Sequence, residues 1–399
     1  MKGLIIKSGL GMVIVSLLFL VSCSKDAESP TEVKKMQDNS VLGKVTHKEF
    51  ITIIKNLNQP RGLRFGPDGM LYVGESGTKG YISSQGECEQ VLAPVGPYLG
   101  GNNGSITRTD LTGSSTHFAD SLPSTQGNIA TGGNLTSISS LGFYNGELYA
   151  TLSGAGCSHG HPEIPNGILK FDNTGKWKLV ADISSFLKNN PVAQPEADDF
   201  EPDGDIYSMV VVEHYIYFIE SNHGELDRFD IENNKIERVA DISKLYGHIV
   251  PTALAYKDGY FYVGNLTTIP FPKGSARILK ISRDGNDVSE YLKGFTTILG
   301  LEFDKAGNLF VLETSAKTEQ PPFFFPNTGK VSRINSNGSV DEITCDLNFP
   351  TAMTFGPDGS LYVSNSGFNT APGEGEIVKI NIPNSGKPVP IESRTAENF

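Results

Sequence analysis

Hydrophobic and polar residues alternate along most of this chain in short runs, the period of β-strands buried on one or both faces. The runs belong to a unit that recurs six times: a strand, a tight turn, then a second strand rich in aromatic residues. It reads GLRFGPDGMLYVGE at 62–75, SLGFYNGELYATL at 140–152 and SMVVVEHYIYFIE at 208–220. It returns as ALAYKDGYFYVGN at 253–265, GLEFDKAGNLFVLE at 300–313 and AMTFGPDGSLYVSN at 352–365. Pairs such as Asp68-Gly69, Asn145-Gly146 and Asp258-Gly259 are hairpin turn signals; only the third copy, at Glu213-His214, turns without glycine.

Each copy is followed by a third strand, at 104–110, 167–172, 224–230, 276–281, 329–335 and 375–381. A fourth closes the first five units, at 116–122, 177–183, 236–242, 288–295 and 340–347. Four strands per unit at this repeat length predict an all-β, six-bladed β-propeller. The sixth unit runs out of chain after its third strand. The segment 49–57 (EFITIIKNL) has the missing strand's character, so the ring is expected to close by pairing this N-terminal strand with the last blade. The repeat is longest over its first two intervals. The excess falls in loops at 76–103, 123–136, 153–166 and 187–205, all expected on one face of the ring, the natural place for function.

The N-terminus carries a different signal. Lys2 and Lys7 precede an apolar run at 11–20, which leads into Leu20-Val21-Ser22-Cys23. A small residue before cysteine after such a run is the pattern of a lipoprotein leader, and the run is shorter than the ~20 residues of a comfortable membrane span. The expected organisation is therefore a leader at 1–22, a flexible tether at 23–46 lipidated on Cys23, a propeller at 47–385 and a tail at 386–399. The Lys25-Asp26-Ala27-Glu28 segment resembles surface-export signals of some Gram-negative lipoproteins. The expected location is the outer membrane, through the lipid anchor alone, with the propeller facing the periplasm or the cell surface. Charge narrows the partners: Lys+Arg 33 against Asp+Glu 45 gives −12, with no basic stripe, which excludes nucleic acid. The protein is expected to act as a monomer. Cys88 and Cys157 sit in the insertions of adjacent blades and suit a disulfide in an oxidising compartment, leaving Cys345 as a packed free thiol.

Candidate chemistry gathers on the insertion-bearing face. The residues ending the second strands, Glu75, Glu220, Asn265, Glu313 and Asn365, are expected to ring the channel mouth, with Leu152 the apolar member. Arg61 and Thr252 start first strands beside them. Oxygens gathered in this way suit a divalent cation such as Ca²⁺, or else only hydrate the channel and pair among themselves. Four histidines fall on the same face, His159, His161, His223 and His248; His223 and His248 are placed nearest the mouth as ligands or acid–base groups. The stretch 196–205 packs six carboxylates into ten residues and reads as a solvated acidic loop, with Asp203 and Asp205 nearest the axis. The chain contains no nucleophile elbow, phosphate loop, dinucleotide fingerprint or zinc-protease helix motif.

Several segments resemble the ScyD/ScyE family of propeller proteins: QPRGLRFGPDGMLYVGESG (59–77), EPDGDIYSMVV (201–211), ESNHGELDRFD (220–230), GHIVPTALAY (247–256) and FPTAMTFGPDGSLYVSNSGF (349–368). The GPDG-LYV element is shared with many NHL-like and lactonase-like propellers. The resemblance implies export and a propeller, and little chemistry. Two functions remain open. One is a ligand-binding or scaffolding module of the cell envelope, holding a small molecule, glycan or protein at the channel mouth. The other is a hydrolase resembling the metal-dependent lactonases, whose carboxylate, asparagine and aspartate hold a divalent ion at that place. Here no aspartate ends a second strand, which departs from that pattern.

Overall fold

Each predicted hairpin seeds an antiparallel sheet, and the six sheets are the blades of a propeller. The structure, a computed structural model, describes residues 49–382 apart from 113, 130–132, 196–199, 319–322 and 336. The leader, the tether with Cys23, and the tail lie outside the described residues. In the third blade the order is Ile206–Val212, Tyr215–Glu220, Glu225–Asp230 and Lys235–Asp241, from inside to outside. Blades two, four and five repeat this plan.

The last blade takes its outer strand from the other end of the chain. Phe50–Leu57 pairs antiparallel with Gly375–Ile380, beginning at Phe50↔Ile380. The ring is thereby closed within its own chain, and the strand edge the sixth hairpin would expose is covered.

The blades have no common centre of hydrophobic mass. Apolar side chains form six clusters, one between each pair of neighbouring blades: Phe218 and Phe229 with Tyr149 and Ile168, for example, or Leu63 and Val73 with Tyr362 and Ile377. A second strand is covered by neighbours on both faces, which is why Leu71–Glu75, Leu309–Glu313 and Leu361–Asn365 are buried at every position. The third hairpin turns without glycine because Glu213 itself takes the left-handed conformation, φ 57°, and its carboxylate is held by Arg283 of the next blade at 3.0 Å.

The first blade departs from the plan. Its third strand starts early and its fourth ends late (Leu99–Thr109 and Ser115–Gln126), and a short fifth strand, Leu135–Thr136, is added. The extra length carries the insertion before it. Cys88 of that insertion is joined to Cys157 of the second blade's insertion, as expected. The free thiol expected at Cys345 is not found, since no cysteine among the described residues is free.

Candidate functional site

The polar residues that end the second strands are turned to the backbone. Glu75 accepts the N–H of Asn58 at 2.7 Å and the hydroxyl of Thr107 at 2.5 Å. Glu220 accepts the N–H groups of Asp205 at 2.6 Å and His223 at 2.5 Å. Glu313 accepts from Thr296 N at 2.7 Å and faces Lys330 at 3.3 Å. Asn365 accepts from Asn348 N at 2.8 Å; Asn265 accepts from Arg277 N and donates to the Ile249 carbonyl, both at 2.8 Å. In most of these contacts the partner is the loop that leads into the same blade's first strand. Thr252 is used similarly, its hydroxyl donating to the Ile298 carbonyl of the next blade at 2.6 Å; Ser139 and Thr351 make the matching bonds to Ile206 and Pro60. Residues filled by backbone donors and acceptors do not fit an axial cation coordinated by all five strand ends.

The mouth is lined one residue further along. Ser221, Leu266 and Thr314 follow Glu220, Asn265 and Glu313, and they border an axial cavity of about 240 Å³ together with Arg61, Asp205, Tyr207 and the rings of Phe324 and Phe368. Successive residues of an extended chain face opposite ways, so a shift of one exchanges backbone-facing for channel-facing positions. The hydroxyls of Ser221 and Thr314 are buried without a hydrogen-bond partner.

Arg61 forms the charged floor. Its Nη2 donates to Asn134 Oδ1 at 2.6 Å and to the Leu135 carbonyl at 2.8 Å, while its buried Nε has no acceptor. It is 6% exposed and, among the described residues, makes no ion pair. Tyr207 crosses the channel, its hydroxyl 3.5 Å from the Thr351 carbonyl; burial pushes it up to about 12, against the pull of Arg61. Asp205 is raised to about 6 by burial and by the charge of Glu201, with Ser153, His159 and Arg61 opposing.

Behind Asp205 lies a buried acid–base group that the sequence did not single out as a unit. Glu201 is 7% exposed, so this end of the acidic stretch is packed, not solvated as expected. Its Oε2 meets His159 Nε2 at 3.1 Å and its Oε1 accepts from Tyr98 at 2.9 Å. The other His159 nitrogen faces the Ala155 carbonyl at 2.8 Å, so both ring nitrogens point at acceptors. Burial works against charge on His159, but Glu201, Asp203 and Asp205 outweigh it and raise its pKa. Asp203 accepts from Ser158 N and Oγ, each at 2.7 Å.

The remaining histidines are dispersed. His161 is tied to the Ser124 carbonyl at 2.9 Å, and burial lowers it. His248 is half-buried in the loop before Pro251–Lys257 and is not among the residues lining the axial cavity. His223 instead lines a second cavity of about 510 Å³ between blades two and three, walled by the Cys88–Cys157 disulfide, Asp203, Leu187 and Phe200. Donor atoms of Glu220, His223 and Glu225 lie within 4.8 Å of one another beside it.

Fold and site together define a six-bladed β-propeller with an axial pocket on its insertion-bearing face. Among solved structures the chain is similar to a gluconolactonase from Xanthomonas campestris, at 12% identity over 86% of this chain and 96% of that one, TM-score 0.52. It is also similar to the calcium-binding protein regucalcin from Agrobacterium tumefaciens (13%, 86% and 96%, TM-score 0.51). A protein of unknown function from Bacteroides thetaiotaomicron matches over 86% of this chain and 74% of its own, at 11% identity and TM-score 0.52. Likeness at this identity establishes the architecture alone. No protein-family model and no curated protein matches the sequence.

Proposed function

We propose that this chain is an envelope-located binding module whose axial pocket receives a small molecule carrying a carboxylate and an apolar or ring face. One observation carries the reading: Arg61 is a buried guanidinium bordering the cavity, and among the described residues no carboxylate lies within ion-pair distance of it. A buried charge without a partner is costly, and an incoming anion would supply that partner. The unpartnered hydroxyls of Ser221 and Thr314 offer hydrogen bonds to the body of such a ligand, and Phe324 and Phe368, 5.4 Å apart edge to face, offer apolar contact. Glycans or proteins with an exposed acidic group share this chemistry. Calorimetric titration with D-gluconate, a small polyol carboxylate, tests the pocket. Binding is expected in the parent and at least about tenfold weaker in Arg61→Met; equal binding by both proteins removes Arg61 from the site.

Hydrolysis at the same place is a second reading, favoured by Asp205. A carboxylate titrating at about 6 beside the pocket is suited to take a proton from water attacking a lactone carbonyl, with Arg61 facing the developing oxyanion. Turnover of D-glucono-1,5-lactone, lost in Asp205→Asn and insensitive to chelator, would select it.

Anchoring belongs to the same proposal. The Cys23 context at the end of the apolar run supports a lipoprotein at the outer membrane, and the Cys88–Cys157 disulfide suits a compartment outside the cytoplasm. The ScyD/ScyE resemblance supports export as well. Metabolic labelling with a fatty-acid analogue, abolished in Cys23→Ala, tests the anchor.

A further inference from the structure

Three carboxylates, Glu220, Glu225 and Asp227, are fully buried inside the third blade. Among the described residues one cation answers them directly: Arg238, whose Nε donates to Glu225 Oε2. His223 packs beside the group, its donor atom within 4.8 Å of those of Glu220 and Glu225. With all three acids ionised, the cluster holds two negative charges without compensation, which a protein interior does not sustain. Two protons or one divalent cation would remove them.

The arrangement of donors separates these alternatives. Glu225 Oε1 and both oxygens of Asp227 receive no hydrogen bond from any other group, and the two carboxyls face each other. His223 Nε2 lies 3.1 Å from the Glu201 carbonyl oxygen, so Nε2 carries the ring proton and Nδ1 presents a lone pair. That is how a metal-ligating imidazole is usually fixed, through a hydrogen bond from its distal nitrogen. Glu220 is held rigid by the N–H groups of Asp205 and His223. A proton shared between Asp227 and Glu225 would neutralise one charge and leave the imidazole lone pair unused.

We infer that the third blade binds a divalent transition-metal ion of the Mn²⁺ or Zn²⁺ class through His223 Nδ1, Glu225 and Glu220, whose donor atoms lie within 4.8 Å of one another, with the buried Asp227 carboxyl behind Glu225. A mixed imidazole and carboxylate set selects such an ion over Ca²⁺, which takes oxygen ligands. The ion enters from the 510 Å³ cavity, whose wall includes His223. This site is off the propeller axis and does not depend on the axial pocket or on what fills it.

Purified protein, stripped with chelator and dialysed, is titrated with MnCl₂ while the electron paramagnetic resonance signal of free Mn²⁺ is followed, and with ZnCl₂ and CaCl₂ by calorimetry. One equivalent of Mn²⁺ or Zn²⁺ is expected to bind. Affinity is expected to fall at least about tenfold in His223→Gln and in Glu225→Gln, with circular dichroism checking each fold. Wild-type protein that binds neither ion overturns the inference without recourse to any variant. So does stoichiometric binding that both ligand variants retain, or Ca²⁺ binding tighter than either metal.

Discussion

Glu313 accepts the backbone N–H of Thr296, seventeen residues upstream, at 2.7 Å, and Glu75 does the same to Asn58 at the same separation and distance. Asn365 repeats the spacing with Asn348. The last residue of each of these second strands thus fastens the loop by which the chain enters that blade. Such a bond is local to the blade, wholly or partly buried, and repeated around the ring. It explains why polar residues recur at the end of strands that are otherwise mostly apolar.

Removing one of these fasteners exposes what it does. In Glu75→Ala the Asn58 N–H and the Thr107 hydroxyl both lose their acceptor in a buried setting. The loss is expected to be about 2–4 kcal/mol, since each unsatisfied buried group costs about 1–3 kcal/mol. Glu75→Gln keeps one acceptor oxygen and should lose about half as much. Urea unfolding followed by circular dichroism measures both. Two variants as stable as the parent would show that the strand-end ring carries no structural load.

The same relationship shows how far the sequence could be read. Alternation and turn pairs located every blade, and the orphaned segment at 49–57 identified the closing strand, because those features are set by local backbone geometry. Which side chains face the channel is set at the strand's end, where one residue of register separates Glu220 from Ser221. Nothing in the composition of ESNHGE distinguishes the two. Arg61 was visible as a strand-start residue, but its lack of an ionic partner is a property of the assembled ring. Glu201 was hidden within an acidic stretch that reads as solvent-exposed; its burial depends on His159 and Tyr98, which lie 42 and 103 residues away. Asp227 falls within the third-strand segment 224–230, where nothing in the alternation marks its complete burial.

The disulfide links two insertions across 69 residues of chain. Closing a loop of that length stabilises by about 4 kcal/mol in the chain-entropy limit, and native links commonly give about 2–4 kcal/mol. The bond walls the larger cavity, so reduction should loosen that wall as well as lower stability. Cys88→Ser with Cys157→Ser is expected to lower Tm by several degrees and to speed backbone hydrogen exchange in the insertions at 76–98 and 153–166 before exchange in the blades. A uniform rise across all six blades would place the effect in the whole fold and not in the loops.

Asp205 sets a pH dependence with a definite sign. Its folded-state pKa, about 6, lies above the ordinary aspartate value because burial and Glu201 outweigh Arg61, His159 and Ser153. The folded protein therefore holds this proton more tightly than the unfolded chain does. Its favourable contribution is complete below about pH 4 and is lost as pH rises through about 6, by an amount on the order of 2–3 kcal/mol. Asparagine removes the titration while keeping the shape of the side chain. Asp205→Asn should therefore be more stable than the parent at pH 8, and the difference should shrink toward zero by pH 4. Chemical denaturation at four or five pH values between these limits checks it. A variant that is destabilised equally at both ends would mean that the Asp205 carboxylate is held in the pocket as a stabilising anion for Arg61.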